Sequence, residues 1–325
     1  MGLRHFSKLT CFSTLFLIFA GGMVTSTGSG LAVPDWPLSY GSLFPPMVGG
    51  VFYEHGHRMV ASFVGLLTLI LAIWITRVET RRWVKILGFS ALGAVILQGL
   101  LGGVTVLLYL PTAVSAAHAL LAQTFFILTI IIAYSLSAER ERRDVKEKSL
   151  PRGIMVLIIA LIIFIYCQLF LGALMRHTES GLAIMDFPTA AGKWWPAFDA
   201  TMLAEINKTR FEYLLDPVSL SQVKIHFQHR LGAVIIFISV CVLNVLGLKY
   251  FLENRHFKQT LLLLDCLIGI QIFLGIATVL TLKSAVITSL HVVCGAATLG
   301  TIVLLYLRTA PLTWAANKQL TFKYV

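Results

Sequence analysis

The sequence predicts an all-α integral membrane protein: eight transmembrane helices, built as two tandem four-helix bundles related by a pseudo-twofold axis along the membrane normal. Composition is the first of three observations behind this. Over 325 positions, 57% of residues are hydrophobic and only 13% charged, and the mean hydropathy of +0.84 leaves too little polar surface for a body in water. Second, eight apolar runs each reach about 20 residues, the length a helix needs to cross roughly 30 Å of hydrocarbon. Third, the chain is written twice. Ser29-Gly30-Leu31-Ala32 with Asp35 and Pro37 returns as Ser180-Gly181-Leu182-Ala183 with Asp186 and Pro188, and Gln98-x-x-Leu101-Gly102-x-x-Thr105-Val106 returns as Gln271-x-x-Leu274-Gly275-x-x-Thr278-Val279. The units divide as 1–150 and 151–325, and four spans in each make both enter the membrane in the same sense.

The first run, 9–27, follows Arg4 and Lys8 and is trailed by small residues, the outline of a secretory signal. Its repeat partner, 153–174, sits mid-chain where no signal acts, so retention of the first run is expected. No mitochondrial transit pattern precedes it, which favours a bacterial plasma (inner) membrane. Runs 57–76 and 86–107 are linked by Arg77, Arg81, Arg82 and Lys85, and 115–136 leads into a basic stretch from Arg140 to Arg152. After 153–174 the pattern repeats as 227–248, 259–282 and 286–307, with Lys249, Arg255 and Lys258 in the link and Arg308, Lys318 and Lys323 beyond. Basic residues beside helix ends are held on the cytoplasmic side. Of the 26 Lys and Arg, 18 fall on one side with Arg4 and Lys8, so both termini are expected in the cytoplasm. The formal charge of +11 follows from this asymmetry and from attraction to the lipid bilayer's anionic headgroups. With no nucleic-acid motif present, it does not argue for nucleic acid.

Cys11, Cys167, Cys241, Cys266 and Cys294 all lie within spans and form no CxxC or CxxCH pattern, which argues against disulfides and covalently attached heme. Cys294, one turn from His291, reads as a small residue at a helix contact. Gln98 and Gln271 suit interhelical hydrogen bonds, and their duplication also allows contact with a ligand edge. Asp265 is two turns into the seventh run, and its repeat partner is Leu92. It is either a neutral, hydrogen-bonded acid or part of a proton path. The outer segment 175–226 is about 21 residues longer than its counterpart. That leaves room for a short amphipathic helix or a partner contact, with Trp194, Trp195 and Phe198 forming an interfacial belt.

Histidines carry the chemistry. His57 matches His229 and His118 matches His291, and each opens an even-numbered run, so all four are expected near the outer surface. A lone histidine in a span is usually a packing residue, whereas four at equivalent places and one depth point to metal ligation. Heme iron fits best, because imidazoles from two facing helices can supply both axial ligands of a flat macrocycle; zinc would want more ligands clustered together. Arg58 and Arg230 follow the histidines and suit either heme propionates or lipid headgroups. Glu54 stands one turn before His57, where the second unit has His226. It reads either as a carboxylate tuned for proton transfer beside a heme or as a solvated residue at the helix mouth.

Glu54-x-x-His57-Arg58, the loop Thr27-Gly28-Ser29-Gly30-Leu31-Ala32-Val33-Pro34-Asp35-Trp36-Pro37, the Gln98 and Gln271 helices and the second His-Arg pair, in this order from about Gly21 to about Arg308, together resemble the heme A synthase family. The resemblance implies an oxidoreductase that oxidises a ring methyl of heme O to a formyl group, making heme A for heme-copper terminal oxidases. It implies the substrate heme O between His57 and His118 in the first unit, with Glu54 as the catalytic acid, base or charge stabiliser. In the second unit it implies heme b as cofactor between His229 and His291. Heme O synthase and cytochrome oxidase assembly factors would be partners, and a homo-oligomer is left open. Many members carry a cysteine pair in the first outer loop. Here Val33 and Ser39 occupy that stretch, no outer loop contains cysteine, and a thiol step is excluded. Two rival classes remain at this stage. A di-heme b-type quinol oxidoreductase would spread its hemes over both membrane faces, and a repeat-built transporter would show broken helices at the midplane.

Overall fold

The computed structural model describes residues 2–143, 150–251 and 254–310. Lys146, Lys148, Lys318 and Lys323, counted above as cytoplasmic, lie outside the described residues. Among the described residues there are ten α-helices and no strand: α1 (Gly2–Ser26), α2 (Gly50–Val78), α3 (Arg82–Leu107), α4 (Thr112–Ser135), α5 (Ala138–Arg142), α6 (Arg152–His177), α7 (Ala200–Glu212), α8 (Leu220–Phe251), α9 (Arg255–Leu280) and α10 (Ala285–Thr309). All but α5 and α7 are long and apolar enough to cross a membrane.

Helices α2 and α8 begin seven residues earlier than their apolar runs, at Gly50 and Leu220. The added turns hold Glu54 and His55 in α2 and His226 in α8. Hydropathy disfavours these residues as membrane-embedded, but loop groups supply the polar partners they need. The long outer segment contains the expected short helix. Asp199 caps α7 by accepting the Met202 amide at 2.8 Å, and Met202 and Ile206 pack with Ala183, Ile184, Ala190, Val218 and Val223. Arg210 ties α7 down by donating to Leu182 O and Asp216 O, both at 2.7 Å.

Helices α1 to α4 pack in a ring, α1 on α2, α2 on α3, α3 on α4 and α4 on α1, and α6, α8, α9 and α10 close a second ring in the same order. The rings meet through α1 on α10, α4 on α6 and α4 on α10. The core runs across that seam, with Ile18, Phe126 and Ile130 in the same cluster as Ile158, Leu161 and Leu299. Small residues on α10 make the approach close. A Cβ at Gly300 would stand 2.6 Å from Ile130 Cδ1 and 3.0 Å from the Phe126 ring. At the far end from the long loops, Arg308 of α10 grips Glu139 of α5 with two bonds of 2.7 Å and donates to Thr260 Oγ1 at 2.6 Å. Asp265 accepts from Asn244 Nδ2 at 2.8 Å, joining α9 to α8.

Candidate functional site

The loop after α1 folds back over the first turns of α2, and Arg58 holds it there. One guanidinium nitrogen donates to Asp35 O at 2.7 Å and Leu38 O at 2.8 Å, and the other to Val33 O at 3.1 Å and Glu54 Oε1 at 2.6 Å. Glu54 Oε2 accepts the Val33 amide at 2.7 Å. Glu54 is therefore buried, 3% exposed, and paired on both oxygens, which replaces the expectation of a solvated residue at the helix mouth. Arg58 directs its fork at loop carbonyls, because the turn around Pro37 presents several of them at once. His55 adds a bond between Nδ1 and Ser39 Oγ at 2.8 Å. Trp36 lies on Gly103 of α3, where a Cβ would come within 2.6 Å of the indole.

The second unit repeats the clamp with other atoms. Arg230 donates to Asp186 O at 2.8 Å, Thr189 O at 2.9 Å and Ile184 O at 3.0 Å, the same use of loop carbonyls as at Arg58. In place of Glu54, His226 faces the Ile184 amide at 3.2 Å through Nδ1 and Arg230 Nε at 3.3 Å through Nε2. Both loops are organised by an aspartate. The Gly41 amide, against a smaller desolvation effect and helped by the Tyr40 amide and Arg58, lowers the Asp35 carboxyl below its ordinary value. Burial pushes Asp186 up, but the Thr189 hydroxyl and the Gly192 and Ala191 amides outweigh it, and the net shift is downward.

Beneath each loop stand two of the histidines, and all four rings rest on a glycine of the preceding membrane-crossing helix. A Cβ at Gly21 would lie 3.1 Å from the His57 ring, at Gly102 3.2 Å from His118, at Gly172 3.3 Å from His229 and at Gly275 3.1 Å from His291. Any larger residue would push the imidazole off its seat. Glutamines border three of the rings. Gln98 Nε2 donates to His118 O at 3.0 Å and approaches His118 Nε2 at 3.2 Å, and Gln271 Nε2 approaches His291 Nε2 at 3.4 Å. Gln168 Nε2 donates to His229 O at 2.7 Å and approaches His229 Nδ1 at 3.2 Å. His57 and His118, one from each of two helices in the first ring, are near enough to interact electrostatically.

These residues suit heme iron. Among the described residues no three His, Cys, Asp or Glu side chains converge as a metal cage; the imidazoles come in twos. Two imidazoles sharing an iron across a flat macrocycle have ring centres roughly 6 Å apart, given metal–nitrogen bonds of about 2 Å, and the His229 and His291 centres are 6.4 Å apart. Nδ1 of His57, His118 and His291 is buried with no protein partner, which marks these rings as built for something other than packing. Sequence reasoning missed the four glycine seats, Gln168 and His55. The glycines were visible only as repeated letters, at 21 and 172 and at 102 and 275, and Gln168 had no repeat to flag it, since Leu17 is its counterpart.

The chain is similar to known proteins over most of its length. Residues 47–303 match a family model described as cytochrome oxidase assembly protein. The chain is 27% identical over 298 residues to the heme A synthase of Halalkalibacterium halodurans, covering 89% of this chain and 91% of the relative. It is 27% identical to that of Alkalihalophilus pseudofirmus with the same coverage. To that of Symbiobacterium thermophilum it is 33% identical over 60% of this chain and 65% of the relative.

Proposed function

This chain belongs to the cytochrome oxidase assembly protein family, and on that premise we propose that it is a heme A synthase, an oxidoreductase that converts a ring methyl of heme O to a formyl group. The observation that carries the reading is the set of four glycine-seated imidazoles, two per ring, at the same end of the molecule. In this reading His57 and His118 hold substrate heme O, and His229 and His291 hold heme b as resident cofactor. When held there, heme b would supply redox-active iron, the kind of chemistry that amino-acid side chains cannot provide for a strong C–H bond.

The chain's own residues position and enclose. Gln98, Gln168 and Gln271 fix the imidazoles against rotation. Arg58 and Arg230 draw the outer loops over the two mouths, exclude water and keep the pockets dry. Glu54 is the one carboxylate within a turn of a ligand histidine, so it takes up or returns the proton, or stabilises positive charge at the ring edge. The two rings are related by a twofold along the bilayer normal, the first serving the substrate and the second the cofactor, in a multi-pass protein of a bacterial plasma membrane.

Pigment from the purified protein tests this. Heme b together with heme O or heme A is expected; heme b alone indicates a di-heme electron carrier, and no heme sinks the assignment. Replacing His229 by Ala should remove heme b first, and a variant with full heme b content contradicts the division between units.

A further inference from the structure

Arg176 is a cation inside the bundle that neither clamp nor ligand set uses. It stands at the last turn of α6, which packs on α4 and α10, and its side chain reaches α1. One guanidinium nitrogen donates to Gly22 O at 3.0 Å and Ser26 Oγ at 2.9 Å, and Ser289 of α10 closes the corner on Ser26 Oγ at 3.0 Å. Among the described residues no carboxylate pairs with it, and the nearest acid in sequence, Glu179, is solvent-exposed. An arginine within a membrane-crossing helix is costly without an anion. Ser289 is two residues before His291 on α10, which places this corner beside the second pocket.

The repeat shows what is special here. The register that pairs Gly21 with Gly172 puts Thr25 where Arg176 stands, and the register that pairs His118 with His291 puts Leu110 where Lys283 stands. The second equivalence is structural as well. Leu110 and Lys283 both have positive φ, 59° and 63°, and they lie against the paired glycines Gly30 and Gly181, 3.1 and 3.4 Å from the Cβ positions. At the clamp, Arg58 is neutralised by Glu54, whereas Arg230 faces His226. Both clamps keep an aspartate beside the arginine, Asp35 and Asp186, so the difference in charge lies in Arg176 and Lys283, which stand where the first unit has Thr25 and Leu110.

We propose that Arg176, with Lys283, is a carboxylate-binding site of the second pocket that takes the propionates of the heme retained there, and that its absence from the first pocket lets the other heme leave as product. This rests on the division of hemes proposed above. Guanidinium and carboxylate match as a two-pronged pair, and such pairs strengthen away from water.

The test uses the full chain in detergent, in a His57→Ala background so that only the second pocket is loaded, with excess apomyoglobin as heme acceptor. Arg176→Gln keeps a donor for Gly22 O but removes the charge, and should release heme roughly tenfold faster. Arg176→Lys keeps the charge and should stay within about threefold of the parent. Equal rates for Gln and parent, or for Gln and Lys, overturn the proposal. Should Arg176→Gln fail to fold, Lys283→Leu at an exposed position decides: faster release supports the site and an unchanged rate overturns it. Heme content that ignores an added His229→Ala change overturns the division of hemes itself, and this proposal with it.

Discussion

Glu54 and His226 occupy the same place in the two units, each meeting a loop amide and a guanidinium, yet they differ in what they can accept. A carboxylate has lone pairs for both donors, whereas a neutral imidazole has one acceptor nitrogen. The second clamp can therefore satisfy only one of its two donors at a time, and its contacts are longer, 3.2 and 3.3 Å against 2.7 and 2.6 Å. Glu54→Ala spares every ligand, so heme b should stay while heme O accumulates; normal heme A output would refute the assigned role. Because alanine also frees the loop, Glu54→Gln separates the functions: it still accepts the Val33 amide but carries no proton, and heme A output should fall roughly a hundredfold. Output near the parent level would leave Glu54 only the clamp. The histidines were legible because residue type, spacing and duplication agreed. Arg58's loop partners were not, because backbone carbonyls have no residue-type signature. A glycine seat likewise exists only once two helices are in register.

The two outer loops behave as small folded elements, each wound around an aspartate that accepts two backbone amides. Both carboxyls titrate below the ordinary value of about 3.9. A lowered folded-state pKa contributes stability that is fully present above the unfolded value and lost as pH falls through the folded one. Protection of the Tyr40, Gly41, Ala191 and Gly192 amides from hydrogen exchange, corrected for intrinsic rates, should be flat from pH 8 to about 5 and decline only below about 4. A midpoint near 6 would show that another group holds the loops. Helix existence and order were legible from apolar length alone. The starts of α2 and α8 were not, since their polar first turns are sustained by loop partners distant in sequence, such as the Val33 amide and Ser39 hydroxyl.

For the molecule as a whole, the basic residues make a topological prediction. An alkaline phosphatase reporter inserted between Phe198 and Asp199 should be active outside the cytoplasm, and one fused after Arg143 should be inactive. The opposite pattern would invert the protein and every statement of depth. Apolar length let the sequence foretell eight membrane-crossing helices; the seam between the two rings was hidden, because Gly300 against Ile130 is a contact between helices far apart in the chain. His57, His118, His229 and His291 all lie within the first three turns of helices that start from one side. An electron exchanged between the two pockets would therefore travel parallel to the bilayer plane. It would do almost no work against the transmembrane voltage, and the rate of that exchange should be the same in energised and de-energised vesicles.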